Sequence, residues 1–224
     1  MPTTRPGEHA STDHAILSKM FNLAELWGLR PDGSNPCRHI KKYKEERRER
    51  FLSAAELRRV GAVLAEMEAE GMEMASALIA VRLLILTGCR LGEILTLKWA
   101  YVDFDAGVLD LADSKTGAKV VYLGQPAVDV LCTAPRLPGN PWVIWGKKPG
   151  THLYGLQDVW ERVRARAELT DVRIHDLRHT FASAAVAAGQ GLPMIGKLLG
   201  HTQVATTARY THLAADPLFG DLDG

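Results

Sequence analysis

The chain has 224 residues, of which 46% are hydrophobic, and its 27 lysines and arginines against 26 aspartates and glutamates leave a net charge of +1. That length and apolar content allow one good core with part of a second unit, and need no disulfide staples. Cys37, Cys89 and Cys132 stand far apart with no C-x-x-C pair, which argues against a disulfide framework or a zinc ribbon; no stretch approaches the roughly 18 apolar residues of a membrane span, and the polar opening MPTTRPGEHASTDH lacks a signal peptide's apolar run, so an intracellular protein with no membrane partner is expected.

Residues 1–12 are polar and rich in Pro, Thr and Gly, the composition of a disordered segment. Over 15–27, Ile16, Met20, Leu23 and Leu26 recur at helical spacing, and LRPDGSNP then supplies turn residues. A lone amphipathic helix cannot bury its apolar face, so residues 13–37 read as one helix of something larger. Residues 38–50, RHIKKYKEERRER, are strongly basic, and 66–73, EMEAEGME, are acidic. Two readings fit the basic run: a solvated helix face, or a segment lying along a phosphate backbone.

Ser53 and Glu56 form an S-x-x-E capping box that opens a helix to about residue 70. A more apolar helix is expected over 74–86, stopped by Gly88, and another from Arg90 with Leu91, Ile94 and Leu95 on one side. The period then changes. YVDFDAGVLDLADSKTGAKVVYLG alternates β-prone runs with turns at Ala106-Gly107 and 114–117, which predicts a small antiparallel sheet. Helices return at 125–133 and 154–169, on either side of a Pro- and Gly-rich loop. RIHDLRHTFASAAVAAG, LPMIGKLLG and TTARYTHLAA are helical again. The expected fold class is mainly α with a small antiparallel β-sheet (α+β).

Several positions could carry chemistry. In a helix starting near His175, the apolar stripe would be Leu177, Phe181, Ala184, Ala185 and Ala188, with His175 and Arg178 three apart on a neighbouring surface. They either cap the helix and pair with a surface acid or grip an anion together. Arg90, at the junction after Gly88, has Glu93 three residues on to hold its guanidinium; this is a structural ion pair or a positioned fork for a phosphate. Lys115 sits at the tip of a predicted hairpin, either solvated or able to swing toward a substrate. His175 and His179 stand at i, i+4, but HDLRH lacks the glutamate of H-E-x-x-H and places an arginine inside the pair, so no metal is expected.

Taken in chain order, an Arg at a helix junction, a Lys on a hairpin, H-x-x-R on a late helix, and G-H followed nine residues on by Tyr resemble the tyrosine recombinase or phage integrase family. LTGCRLGEIL, HDLRHTFAS and LLGHTQVATTARYTH are close to its consensus. The resemblance implies a catalytic domain at 53–214, preceded by the last helix of a core-binding domain at 13–37 and a basic linker at 38–52, and followed by a short tail at 215–224, so that the chain is shortened at both ends. It implies Arg90, Lys115, His175, Arg178, His201 and Tyr210 as the catalytic set, with Glu93 as an acidic support. DNA contacts are expected from Lys41, Lys42, Arg47 and Arg48, and from the lysine that follows Ala118, Lys119.

The implied function is site-specific breakage and rejoining of DNA strands through a 3′-phosphotyrosine, with no metal, ATP or other cofactor. Arg90 and Arg178 would clamp the phosphate, His201 would donate a further hydrogen bond, His175 would take the Tyr210 proton, and Lys115 would protonate the leaving oxygen. Double-stranded DNA is the expected partner, with other protomers in a synaptic assembly, in a bacterial or phage-derived setting in the cytoplasm at the nucleoid. The alternative is a truncated remnant that binds DNA or full-length relatives without completing recombination; a relaxing topoisomerase of the related IB type is a third reading.

Overall fold

A proline needs no N–H partner in the first turn of a helix, and α1 (Pro6–Leu26) begins on one, inside the stretch whose composition suggests disorder. The computed structural model describes residues 6–40, 50–111 and 117–199. The chain divides into two units, Met1–Glu49 and Arg50–Gly224.

In the first unit, the chain leaves α1 through Gly28, whose φ of 69° lies in the left-handed region, and folds back along the helix. One buried polar residue holds the return. Asn35 donates its amide to the Ser18 carbonyl (3.1 Å) and to Asn22 Oδ1 (2.7 Å), gives its backbone N–H to Glu25 Oε1 (2.5 Å), and accepts from the Cys37 N–H (2.8 Å). Ile16, Met20 and Leu26 are exposed.

The second unit opens at Arg50, whose guanidinium bonds Glu56 and Asp171. Its first helix, α2 (Ala54–Glu70), starts at the expected capping box: Ser53 Oγ accepts from the Glu56 N–H (3.3 Å) and Glu56 Oε2 accepts from the Ser53 N–H (2.8 Å). The next helix, α3 (Ala75–Thr87), is apolar on almost every side and is the centre of the core, packed against α2, α5 (Gln125–Thr133), α6 (Gln157–Arg166) and α7 (Asp176–Ala187). A short α4 (Leu91–Leu95) and a 3₁₀ turn at Trp99–Tyr101 lead into the sheet.

Strands β1 (Val102–Asp103), β2 (Val108–Leu111) and β3 (Lys119–Tyr122) form an antiparallel sheet in that order, with Leu111 opposite Lys119 and Val108 opposite Tyr122. Alternation puts Leu109, Leu111 and Val121 inside and Val120 and Tyr122 outside. The expected helix at 154–169 is shorter, because Gly155 at φ 73° keeps its first residues out of helical geometry. It stops where Glu168 turns left-handed (φ 56°) and the Leu169 N–H closes onto the Arg164 carbonyl at 2.7 Å. Its Trp160 is fully buried and donates to the Val172 carbonyl (3.2 Å). The last described helix, α8 (Leu192–Leu199), packs against α7 and β3. Among the described residues, no helix is long and apolar enough to cross a membrane.

Candidate active site

The site is built on the break between α3 and α4. Thr87 turns its hydroxyl back to the Leu83 carbonyl (2.6 Å), and Gly88 ends α3 at φ 61°. A side chain there would be doubly opposed, since a Cβ on Gly88 would run into the Phe181 ring of α7. The break therefore brings two helices to van der Waals contact and sets the direction in which Arg90 leaves the core.

Arg90 stands at the N-cap of α4. Glu93 reaches back to it twice, accepting from its backbone N–H at 2.8 Å and from its Nη1 at 2.9 Å. The i, i+3 spacing is sufficient to anticipate this pair. A third contact comes from β3, where Lys119 Nζ lies 2.7 Å from Glu93 Oε2, with both side chains less than 10% exposed. Burial works against the Glu93 anion, but hydrogen bonds from Lys119 and from the Arg90 backbone outweigh it and hold the carboxyl below its ordinary value. Next to this cluster, burial pushes the Cys89 thiol up despite the nearby charges of Lys119 and Arg178.

Arg178 joins the break to α8. It is buried, and donates from Nη1 to the Gly88 carbonyl (2.5 Å) and from Nη2 to the Leu199 carbonyl (2.6 Å). The guanidinium thus satisfies the carbonyl of Gly88, which closes α3, and that of Leu199, the last described residue of α8. His175 occupies the N-cap position of α7 and is exposed, its ring edge-on to that of His179 with centroids 5.1 Å apart. Asp176 is buried and accepts from the Arg173 N–H at 2.8 Å.

Two expectations are corrected. The buried face of α7 is not Leu177, Phe181, Ala184, Ala185 and Ala188: Ala184 and Ala188 are exposed, whereas Asp176, Arg178, Thr180 and Ser183 are buried. Alanine is too weakly apolar to fix a face, and these polar side chains enter the interior because Asp176, Arg178 and Thr180 have partners there. Lys119 does not project as a DNA contact but lies under the sheet against Glu93, while Ala118 beside it is exposed. Period-two alternation would have found this, because 119 shares its face with the buried Val121 and an inward lysine requires a buried acid.

Arg90, Glu93 and Arg178 are therefore gathered on one backbone break, with His175 one turn from Arg178. Lys41, Lys42, Arg47, Arg48, Lys115, His201 and Tyr210 lie outside the described residues. Leu199, which Arg178 holds, is two positions before His201.

The model of the phage integrase family matches residues 50–216, three quarters of the chain. The chain belongs to that family. A shufflon-specific DNA recombinase of Escherichia coli is 30% identical over 222 residues, covering 97% of this chain and 54% of that protein. The tyrosine recombinase XerD of Pasteurella multocida (strain Pm70) is 29% identical over 150 residues, covering 62% of this chain and 50% of its own length. The chain spans about half the length of these relatives. Among solved structures, a lambda integrase dimer bound to a COC′ core site superposes with a TM-score of 0.68 at 21% identity, over 90% of this chain and 58% of that one. That likeness shows the fold: a mainly helical domain with a small antiparallel sheet.

Proposed function

We propose that the chain carries the catalytic domain of a site-specific DNA recombinase that breaks and rejoins strands through a 3′-phosphotyrosine at Tyr210, without metal or ATP. The observation that carries this reading is the gathering of Arg90 and Arg178 on one break in the backbone, with the chain end leading to His201 held by the same guanidinium. Two arginines fixed on one backbone break are suited to a phosphodiester whose transition state spreads charge over its non-bridging oxygens. With five N–H donors, a guanidinium can serve a backbone and an anion together.

In this mechanism the Tyr210 hydroxyl attacks phosphorus, the bond to the 5′-oxygen breaks, and a phosphotyrosine diester forms in its place. A phenol suits this step because its ordinary pKa of roughly 10 is well below that of an aliphatic alcohol. His175 takes the phenol proton, Lys115 delivers one to the leaving 5′-oxygen, and His201 donates to a non-bridging oxygen. The later attack of a 5′-hydroxyl reverses the step, so the energy of the broken bond is kept and no nucleotide cofactor is consumed.

The shufflon recombinase and the lambda integrase complex, by their names, act on or bind DNA, which supports double-stranded DNA as the partner here and a synaptic assembly of protomers as the working form. The working place would be the cytoplasm, at the nucleoid. Residues 13–37 would be the last helix of a core-binding domain, 53–214 the catalytic domain, and 38–52 a basic linker crossing the duplex through Lys41, Lys42, Arg47 and Arg48.

Covalent trapping tests the reading. The chain and Tyr210→Phe are incubated with nicked suicide duplexes in EDTA. An adduct that survives denaturation and is absent from the mutant is the expected result. A chain that binds these duplexes but never forms the adduct, on DNA that a full-length relative does cleave, is a binding remnant.

A further inference from the structure

We infer that Lys119 is a positioning residue for Arg90, acting through Glu93 and tying the hairpin strand β3 to the phosphate-binding arginine. The inference rests on the function proposed above for Arg90. Glu93 is shared: Oε1 holds the Arg90 guanidinium at 2.9 Å, while Oε2 receives both the Arg90 backbone N–H at 2.8 Å and Lys119 Nζ at 2.7 Å. The carboxylate is thus divided between a cation that is to meet substrate and one that is not. Arg90 keeps a quarter of its side-chain surface exposed (27%), whereas Lys119 and Glu93 have 9% and 7%.

A buried lysine is costly unless it is paired, and a hydrophobic residue at 119 would suit the inward face that Val121 occupies. The lysine therefore needs a reason beyond packing. With Lys119 in place, one Glu93 oxygen is committed to β3, which fixes the plane of the carboxylate and hence the fork it offers Arg90. Without it, Glu93 is a buried anion answered by Arg90 alone, and the guanidinium is drawn inward, away from a phosphate. The same contact joins Arg90 to β3, the strand that follows the predicted hairpin tip carrying Lys115, so that displacement of one is felt by the other.

The test uses the full chain with Lys119→Met, Lys119→Arg and the double variant Lys119→Met with Glu93→Gln, which removes the unpaired anion and stays foldable where the single variant fails. The first readout needs no DNA: the Nε–Hε signal of Arg90 in protein labelled with ¹⁵N-arginine, assigned through Arg90→Lys. It is expected to move in Lys119→Met and in the double variant, and to return toward its original position in Lys119→Arg. An Arg90 signal that stays in place in Lys119→Met, or in Lys119→Gln should the methionine variant not fold, overturns the inference.

The second readout is the rate of adduct formation. Lys119→Met should slow it about 10- to 100-fold, the cost of a misplaced reacting group, with Lys119→Arg restoring most of the loss. Because Lys119 acts through a cation that clamps charge, the deficit should shrink on a duplex with a neutral methylphosphonate at the scissile position, as it should for Arg90→Ala. An equal deficit on both duplexes marks a merely structural lysine and also overturns the inference. If the parent chain forms no adduct at all, the proposed function fails while the Arg90 signal still decides the positioning role.

Discussion

Helices α3 and α7 pack against each other, but they are buried by opposite means. α3 presents Ala77, Leu78, Ile79, Ala80, Val81, Leu83 and Leu84 to the interior and is buried chiefly by apolar area, its buried polar residues Ser76 and Thr87 lying only at its two ends, each with its hydroxyl on a carbonyl. α7 buries Asp176, Arg178, Thr180 and Ser183 beside Leu177, Ala182 and Val186, and three of these polar residues have matched partners: Arg178 two carbonyls, Thr180 the Leu52 N–H at 2.9 Å, Asp176 the Arg173 N–H. An apolar helix contributes stability without specifying direction, whereas hydrogen-bonded burial fixes orientation because an unmatched partner is costly. α3 accordingly serves as the platform and α7 as the element whose orientation is fixed by matched polar groups.

The largest expected break in this comparison comes from Arg178→Met. It removes the donor to the Gly88 and Leu199 carbonyls, so adduct formation should fall at least about 100-fold, and the loss of two charge-assisted hydrogen bonds should cost about 3 kcal/mol of stability in a urea titration. Leu83→Ala in α3 should cost a similar amount, about 3 kcal/mol, yet leave the adduct rate per folded molecule unchanged. If both variants lose activity only in proportion to folding, the division of labour between the two helices is wrong.

Gly88→Ala probes the seam between them. It forces a side chain into the left-handed region and against the Phe181 ring, which should cost about 2 kcal/mol, read as a lowered melting temperature of the second unit. The smallest effect is expected at the start of that unit. Hydrogen bonding from Arg50 lowers the Glu56 carboxyl from 4.5 to about 2. A depressed carboxyl contributes stability that is present above 4.5 and lost as pH falls toward 2. The melting temperature of Glu56→Gln should thus decline less between pH 5 and pH 2 than that of the parent. The difference at neutral pH should stay below about 1 kcal/mol, since the pair is partly solvated.

Local signals were the most legible in the sequence. The Ser53–Glu56 capping box, the stop of α3 at Gly88 and the pairing of Arg90 with Glu93 each depend on residues within four positions, where spacing alone determines who meets whom. The sheet was also legible, because its turns carry recognisable residues. The contacts that assemble the site were not: Arg178 finds Gly88 across 90 positions and Lys119 finds Glu93 across 26, and no local pattern encodes such a meeting. The face of α7 was misread because four of its candidate positions are alanines or lie beside them, so apolar spacing had little contrast to work with. The first unit shows the same limit, since the turn residues of its return are plain but the anchoring of Asn35 on Ser18 and Asn22 is tertiary.

The bond from Arg178 to the Leu199 carbonyl also has a mechanical meaning. One guanidinium rivets the end of α8 to the break that carries Arg90, so tension applied to the chain beyond residue 199 would reach that break through a single link, bypassing the side chains of the core. Whatever loads or releases that end would be felt at the neighbouring break as a change in the direction of Arg90.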